Sequence, residues 1–306
     1  AFTTLKPKSI LDLKFLFYFL AYNPNFFEYL GTYQKGSNYP SCREKDILNF
    51  EIPLPPLKTQ KQIVERIEEL FEKIDKAKEL RQKAKEESEQ IFQSALYQIF
   101  DKAEKKWKFD KIENVAIDFQ SGFACSKRVT QDQGVPQLRP NNIGFNGEID
   151  LSNLVFVPRK LVNRDKYKLE KGDVLFNNTN SKELVGRAVL VKKNLEYVFS
   201  NHITRLKVDP KILFPEWLVI NINYLWKSGY FLRFSQKWIG QAGINTQMLK
   251  SIKIPLPPLS EQKKIVACLD NLQEKVDKLK KLQQKQLEEL SELKSSILNR
   301  AFSGEL

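Results

Sequence analysis

The sequence IPLPPLKTQKQIV at residues 52–64 decides the fold, because it recurs as IPLPPLSEQKKIV at residues 254–266. The two copies lie 202 residues apart. Short amphipathic helices resemble one another by chance, but a proline-rich hexamer followed in step by Gln, Lys, Ile and Val does not. The chain therefore contains an internal repeat, and each copy marks the same point within it.

A long run of apolar residues with alternating spacings of four and three follows each copy. Because the Pro pairs at 55–56 and 257–258 stop a helix from extending backward, each run predicts one helix of about 44 residues, roughly 65 Å long. Two helices of this length predict an antiparallel two-helix coiled coil; the alternative is two unrelated helices, each packed in its own domain. The predicted seam is Ile63, Ile67, Leu70, Ile74, Ala77, Ala84, Ile91 and Ala95 against Ile265, Leu269, Leu272, Val276, Leu279, Leu290, Leu293 and Ile297, with polar interruptions at Arg81, Ser88, Gln283 and Gln286.

Between the two helices, residues 107–253 alternate short β-type runs with turn signals, which predicts a mixed sheet with a few helices. Turns are predicted at 134–136, 145–147, 171–173 and 185–187, and a helix at 215–227. The fold class is therefore α+β: a mixed-sheet domain plus the two long helices. The predicted strands are Asn114–Phe119, Leu154–Val157, Val174–Phe176, Ala188–Val191, Tyr197–Ser200 and Ile203–Val208.

The repeat extends weakly upstream, so residues 1–51 are interpreted as the C-terminal remnant of a first domain whose complete copy spans 107–253. The first helix with its Pro-rich start spans 52–102 and the second spans 254–306. The remnant is rich in Phe and lacks a complete domain to bury its apolar surface. A fragment of a longer chain and a truncated gene both explain this, and the choice stays open.

The formal net charge is +13, and residues 107–253 hold 23 Lys and Arg against 13 Asp and Glu, a difference of +10. A basic excess confined to one unit favours a polyanionic partner, nucleic acid first. The longest apolar run, 10–22, is too short to span a bilayer and contains Asp12 and Lys14, so no membrane is expected. Three scattered cysteines fit the reducing cytoplasm and, with one histidine, predict no zinc site.

Residue types suited to reading DNA cluster in the predicted loops of this unit. Amides contact adenine, guanidinium groups contact guanine or phosphate, and hydroxyl groups reach either. An ordinary Asn-rich turn, a solvated charge pair or tight glycine packing explains each group about as well. The candidate DNA-binding residues are Lys127, Arg128, Arg139, Asn141, Asn142, Asn177, Asn178, Asn180, Ser181, Lys182, Gln241 and Asn245.

No motif for catalysis or cofactor binding accompanies these residues. The sequence has no GxGxxG or Walker A loop to bind a nucleotide or cofactor phosphate. It has no GxSxG motif to form a hydrolase triad with its single histidine, His202. It also lacks the Asn/Asp-Pro-Pro-aromatic motif of DNA aminomethyltransferases. Function is therefore expected to rest on binding, with no catalytic residue, metal or cofactor.

The repeated IPLPPLxxQKxIV, the heptad helices and the closing sequence AFSGEL at 301–306 together resemble the specificity subunits of Type I restriction-modification systems. KGDVLF at 171–176 and Val185-Gly186-Arg187 are also similar to that family's target recognition domain. The resemblance implies a non-catalytic subunit in which each recognition domain reads one half-site of a bipartite DNA target and the coiled coil sets the spacing. It also implies methyltransferase (M) subunits docked along the helices and a motor-endonuclease (R) subunit joining the complex, with S-adenosylmethionine and ATP belonging to those partners.

Two other functions stay open from the residues alone: a protein-binding scaffold and a metal-dependent nuclease without a recognisable motif. The short first repeat also leaves open a pairing with a second specificity-subunit (S) chain.

Overall fold

The computed structural model describes residues 4–34, 41–145, 147–238 and 241–305, without the side chains of 236–238. The chain folds into two compact units. Unit 1 comprises Ala1–Ile91 and Glu274–Leu306, and unit 2 comprises Phe92–Gln273.

In chain order the helices are α1 Leu13–Tyr22, α2 Pro24–Tyr33, α3 Glu44–Leu48, α4 Leu57–Asp101, α5 Ala103–Lys106, α6 Ile112–Val115, α7 Arg164–Tyr167, α8 Pro215–Lys227, α9 Tyr230–Phe234, α10 Thr246–Ser251 and α11 Leu259–Ser303. The strands are β1 Phe109–Lys111, β2 Ala116–Ser121, β3 Gly134–Leu138, β4 Val155–Pro158, β5 Val174–Asn177, β6 Thr179–Asn180, β7 Ala188–Leu190, β8 Val198–Phe199, β9 Ile203–Val208, β10 Gln236–Trp238, β11 Gln241–Gly243 and β12 Lys253–Pro255.

The predicted long helices are α4 and α11, each 45 residues long. In unit 1 their contacts run in opposite directions along the chain. The side chains of Asp75 and Lys294 lie 2.6 Å apart, and those of Glu89 and Lys280 lie 3.2 Å apart. The first number rises by 14 while the second falls by 14, as an antiparallel pair requires. The predicted α+β class with an antiparallel coiled coil is therefore confirmed.

The predicted seam of this coil is only half correct. Ile67, Ile74 and Val276 are buried, but Ile91, Leu279 and Leu293 are 45%, 40% and 45% exposed. At three positions the buried residue is the next one along the helix, namely Val64, Phe71 and Leu298 in place of Ile63, Leu70 and Ile297. Apolar residues occupy both neighbouring stripes there, so periodicity alone does not choose between them. Ser88 and Gln283 are buried, as their predicted places in the seam require, and Gln60 and Ala301 are buried beyond its predicted ends.

The aromatic residues of the N-terminal segment are split between two environments. Phe15 and Phe19 are buried, and their rings contact the Phe302 ring edge-on with centroid distances of 5.3 and 5.0 Å. Phe17 and Phe27 are 57% and 55% exposed. The end of α11 therefore covers one face of α1, while the other face remains open, in part as the sequence predicts.

The internal repeat extends to individual hydrogen bonds, and the side chain of Gln60 in unit 1 makes the first set. Its side chain is fully buried. Its Oε1 accepts from the Asp12 backbone N–H at 2.8 Å, and its Nε2 donates to the carbonyl oxygens of Ile10 at 3.0 Å and Pro55 at 2.7 Å. Gln60 therefore joins the segment before α1 to the Pro-rich turn before α4.

Gln262 makes the same three bonds in unit 2, each 202 residues further along the chain. Its Oε1 accepts from the Phe214 N–H at 2.8 Å, and its Nε2 donates to the carbonyls of Ile212 at 3.0 Å and Pro257 at 2.9 Å. Gln262 is also fully buried. Helices α1 and α8 therefore hold equivalent places in the two copies.

Unit 2 contains a four-stranded antiparallel sheet in the order β2-β9-β5-β7. Helix α8 packs on β7 and β5, and its Trp217 is fully buried with Nε1 donating to the Pro255 carbonyl at 2.9 Å. The Phe100 ring stacks on Tyr224 with a centroid distance of 3.9 Å. This core joins the residues of α4 and α11 that belong to unit 2 to the sheet.

Two further sheets contradict parts of the sequence prediction. The predicted turn at 134–136 is instead strand β3, which pairs antiparallel with β4 and parallel with β8. Pro136 is tolerated there because β8 pairs only with Gln137 and Leu138, so no second strand needs its missing N–H. The predicted loop that contains Gln241 includes strand β11, which pairs with β10 and β6; Gly240 at its start lies outside the described residues.

Within the described residues, no helix is long and apolar enough to cross a bilayer.

Candidate nucleic-acid interface

A polar pocket of about 450 Å³ lies in unit 2, where β3 ends and the turn before β9 begins. Arg128 and Arg139, both predicted from the sequence, lie in its wall together. None of the described residues that line it is Asp or Glu. The lining is Ala124, Cys125, Ser126, Arg128, Gln137, Arg139, Ser200, Asn201 and His202.

The cations at this pocket lack internal counter-charges. Lys127, Arg128 and Arg139 are exposed, and no carboxylate of the described chain lies within ion-pair distance of their charged nitrogens. One Arg128 nitrogen donates to the carbonyl oxygens of Cys125 at 2.6 Å and Lys127 at 3.0 Å, which holds the side chain in place while its charge stays uncompensated. Such cations attract phosphate at long range and bind it at short range.

Other cations of unit 2 are already engaged. Arg205 is buried and forms an ion pair with Asp118 at 2.8 Å, and Lys207 lies against the carboxylates of Glu170 and Asp173. The flanking ammonium groups, chiefly that of Lys168, lower the pKa of Glu170 to about 2. The net positive charge of unit 2 is therefore larger than the charge available to bind an anion. Arg128 and Arg139 are available because they lie in the pocket wall without a carboxylate partner.

Arg187 is also buried, and its guanidinium packs against aromatic rings. Its guanidinium carbon lies 4.3 Å from the Phe145 ring centroid and 5.8 Å from the Trp226 ring centroid, and the residue is 3% exposed. Burial lowers the pKa of Arg187. Its role is to hold these rings together.

His202 contributes a neutral hydrogen-bonding group rather than a charge. Burial, and secondarily the positive charge of Arg139, lower the pKa of His202 below its usual value. The imidazole is therefore neutral at pH 7, with one donor and one acceptor nitrogen.

A second polar pocket of about 230 Å³ lies on the other side of the turn at 200–204. Asn178, in its wall, donates from Nδ2 to the Asn201 carbonyl at 3.2 Å and to Thr204 Oγ1 at 2.9 Å. Its backbone N–H donates to the His202 carbonyl at 3.0 Å. Residues 200–204 therefore contribute to both pockets: Ser200, Asn201 and His202 line the first, and Thr204 at the start of β9 lines the second. The second pocket is lined by Ser121, Asn178, Thr179, Thr204, Gly243, Ile244, Asn245 and Thr246.

The structure gives two predicted contact residues a role inside the protein. Asn142 is 1% exposed; its Oδ1 accepts from the Arg139 N–H at 2.8 Å, and its Nδ2 donates to the Asp150 carbonyl at 2.7 Å. Asn177 is fully buried and donates to the Leu184 carbonyl at 2.9 Å. Because neither amide is exposed, both residues shape the loops that carry other contacts.

The remaining members of the Asn-rich run are not a simple turn. Asn180 lies in β6, pairs with Ala242 of β11 and accepts the Ser181 N–H at 2.8 Å. Its Nδ2 is buried and has no hydrogen-bond partner among the described residues. Lys182 is exposed, but its ammonium lies 3.8 Å from Glu183, which partly compensates its charge.

The other three predicted residues are exposed. Asn141 lies in the short 3₁₀ turn Pro140–Asn142, two residues after Arg139. Gln241 begins β11, and Asn245 is the N-cap of α10, accepting the Met248 N–H at 2.8 Å. Only Asn245 of these three lines one of the two pockets.

Several residues that line the pockets were not predicted from the sequence. They belong to strands β2, β3, β6 and β9, to the segments next to these strands, and to α10, and most lie outside the predicted loops that supplied the candidates. A polar triplet where two predicted strands meet, Ser200-Asn201-His202, was the available signal. The missed polar residues are Ser121, Ser126, Gln137, Thr179, Ser200, Asn201, Thr204 and Thr246.

The polar groups of the two pockets are of the kinds that contact nucleic acid. The described residues contain no group of three or more His, Cys, Asp or Glu that could hold a metal ion. Two uncompensated guanidinium groups beside amides, hydroxyls and a neutral imidazole can bind phosphate and the edges of bases.

Comparison with known proteins identifies the family. The family model described as "Type I restriction modification DNA specificity domain" matches residues 1–86 and 104–289. The chain is 29% identical over 323 aligned residues to the Type I restriction enzyme MjaVIII specificity subunit of Methanocaldococcus jannaschii, covering 97% of this chain and 71% of that protein. It is 26% identical to the EcoKI specificity subunit of Escherichia coli K12, covering 90% of this chain and 62% of that protein.

Solved structures show the same similarity. A structure described as the HsdS subunit from Thermoanaerobacter tengcongensis matches with a TM-score of 0.61 and 27% identity, over 97% of this chain and 71% of that one. A chain from a study of complex assembly and conformational transition of the type I R-M system matches with a TM-score of 0.73 and 27% identity, over 96% and 71%.

Proposed function

The chain belongs to the family of Type I restriction modification DNA specificity domains, and on this premise we propose that it is a sequence-specific DNA-binding specificity subunit. It reads one half-site of a bipartite target through the residues that line the two polar pockets of unit 2. The observation that carries this proposal is the pair Arg128 and Arg139, which share one pocket without a neighbouring carboxylate.

We propose a division of labour among these cations. We assign the reading of base edges to Arg139, which lines a pocket together with Asn201 and His202, because a bidentate contact from Arg to guanine is the commonest specific one. Lys127 and Arg128 bind backbone phosphate and position the domain. Asn178 acts chiefly through its bonds to the turn at 201–204, which it holds in shape.

DNA binding by the assembled complex tests this proposal. Arg139→Ala should weaken binding to the cognate site by about 1–3 kcal/mol and relax the preference at one position. Arg128→Ala should weaken binding to all duplexes similarly and reduce its salt dependence. Lys192→Ala is the matched control, since it removes one charge from an exposed lysine already paired with Glu148 at 2.9 Å. Unchanged affinity and site preference in both arginine variants would contradict the proposal.

We assign the coiled coil to the docking of M subunits, with the R subunit joining through the complex. Support comes from an asymmetry in unit 1. One flank of the coil carries polar contacts between the helices, whereas the other exposes Leu80, Leu279 and Leu282 by 68%, 40% and 50%. Exposed apolar rows of this kind mark protein interfaces. S-adenosylmethionine and ATP belong to these partners, so the chain itself is non-catalytic. We place the complex in the cytoplasm, where its DNA target lies.

Methylation assays separate this division of labour from the nuclease alternative. The purified chain should neither methylate nor cleave DNA with any cofactor or divalent cation, whereas adding it to M subunits should produce site-specific methylation. Metal-dependent cleavage by the chain alone, lost on substitution of its carboxylates, would contradict a non-catalytic role.

Pairing with a second S chain remains a prediction. The surface suited to it is an apolar groove of about 390 Å³ in unit 1, walled by Leu13, Leu16, Phe17, Leu20 and Phe27, among others. In unit 2, strands β7 and β5 cover the equivalent helix α8. A recognition sheet supplied by a second S chain would cover the groove in the same way.

A further inference from the structure

His202 is the single histidine of the chain, and its imidazole lies in the wall of the first polar pocket together with Arg139. The two side chains are close enough that the positive charge of Arg139 contributes to lowering the pKa of His202. The ring is half-buried, and no hydrogen bond within the described residues uses either of its nitrogens. The imidazole is therefore a polar group at the pocket that the fold itself does not consume.

The main chain around His202 is fixed by hydrogen bonds. The carbonyl oxygens of His202 and Asn201 accept from the backbone N–H and the Nδ2 of Asn178, at 3.0 and 3.2 Å. The Ile203 N–H donates to the Ser200 carbonyl at 2.9 Å and closes the turn. Because all these bonds use main-chain atoms of the turn, they hold the ring in place and leave its nitrogens available to a ligand.

The imidazole supplies an acceptor that the other side chains of this pocket largely lack. Arg128 and Arg139 only donate hydrogen bonds, whereas a neutral imidazole has one acceptor nitrogen. Gln137 has an acceptor oxygen, but only 1% of this residue is exposed. Asn201 carries the competing amide oxygen, on an exposed side chain. Hydroxyl groups donate or accept equally well, so they discriminate little between bases.

An acceptor at this place distinguishes two classes of base. In the major groove, adenine and cytosine present an exocyclic amino group, which donates, whereas guanine and thymine present a carbonyl oxygen, which accepts. We propose that the neutral ring of His202 accepts a hydrogen bond from the amino group of an adenine or cytosine next to the base that Arg139 contacts. This inference rests on the proposed function, in which the residues of this pocket read DNA.

The same contact makes the base preference depend on pH. A protonated imidazole donates from both nitrogens and accepts at neither, so it opposes an amino group and suits a carbonyl oxygen. The preference for the amino group is therefore complete above the pKa of His202 and is lost as the pH falls through it. The charged or titratable groups that line the pocket with His202 are Cys125, Arg128 and Arg139. Imidazole is the type of side chain among them whose charge ordinarily changes between pH 8 and 5.

DNA binding by the assembled complex tests the contact, after its target has been mapped from the positions that it methylates. Each A·T pair of the target is replaced in turn by hypoxanthine·cytosine, and each C·G pair by T·A, so that one amino group becomes a carbonyl group. At one position the wild type should lose affinity by about tenfold at pH 7.5, and at pH 5.0 this loss should shrink by about twofold or more. The position that responds also tells adenine from cytosine.

Two substitutions of His202 separate reading from titration. His202→Ala should abolish the discrimination at that position at both pH values. His202→Asn keeps a donor and an acceptor without a titrating group, so its discrimination should be the same at pH 7.5 and 5.0. Both variants should melt like wild type, because the bonds of the turn do not use the ring.

Three results would overturn the inference: unchanged discrimination in His202→Ala, a wild-type preference that does not vary with pH, or a loss that follows Asn201→Ala instead. The proposed function has its own readout. If Arg139→Ala relaxes the site preference while His202→Ala does not, only the role of His202 is wrong. If neither variant changes the preference, the assignment of DNA reading to this pocket is wrong as well.

Discussion

Gln262→Ala tests whether the buried side chain of Gln262 holds the segment before α8 against the Pro-rich turn before α11. The change removes the partners of three backbone groups: the Phe214 N–H and the carbonyls of Ile212 and Pro257. One such bond contributes about 1 kcal/mol net, and a buried group left unpaired costs about 1–3 kcal/mol. We therefore expect a loss of about 3–5 kcal/mol in the free energy of unfolding.

Urea unfolding followed by circular dichroism measures the total loss, and hydrogen exchange locates it. The Phe214 amide should exchange much faster in Gln262→Ala, because Gln262 Oε1 is its acceptor. Gln60→Ala breaks the equivalent three bonds in unit 1 and should cost a similar amount. Gln90→Ala, at an exposed helical position, should shift stability by less than about 0.5 kcal/mol. If Gln262→Ala matches Gln90→Ala, the role assigned to these bonds is refuted.

Asn178→Ala should lower both stability and cognate DNA affinity by about 1–3 kcal/mol, because its amide holds the turn between the pockets; equal DNA binding and unchanged melting would remove it from the site. Glu170→Gln should remove part of the acid sensitivity of melting. The folded pKa of Glu170, about 2, lies below its usual value of 4.5, so its stabilising contribution is complete above pH 4.5 and is lost as the pH falls towards 2; identical wild-type and variant melting profiles between pH 5 and 2.5 would disprove this. Phe100→Ala should cost about 3–5 kcal/mol, since its 8%-exposed ring stacks on Tyr224, whereas Phe109→Ala, at a 40%-exposed position, should cost far less in the same urea titration.

Local periodicity was sufficient to predict the long helices and most of the central strands. Proline pairs and heptad spacing predicted both helices, observed at Leu57–Asp101 and Leu259–Ser303. The prediction of a helix at 215–227 coincides with α8, and that of a strand at 203–208 coincides with β9. These elements were predictable because their signal lies in consecutive residues, and the offset of 202 related the two copies before any contact was known.

The seam and the reading surface required the tertiary structure. Phe71 and Leu298 are buried in one cluster between the long helices, whereas the predicted seam contains their neighbours Leu70 and Ile297, because burial depends on the opposing helix as well as on the residue. Polarity alone could not separate Asn142, whose amide is used inside the protein, from Arg139, whose charge is uncompensated.

The sequence by itself therefore determined the two long helices and their repeated proline-rich starts. It also determined the basic excess of the residues between them. Only the tertiary structure decided which amides are consumed by the fold and which cations lack a carboxylate. The physical reason is that hydrogen bonding and charge compensation join residues far apart in sequence, so a pattern of neighbours carries no record of them.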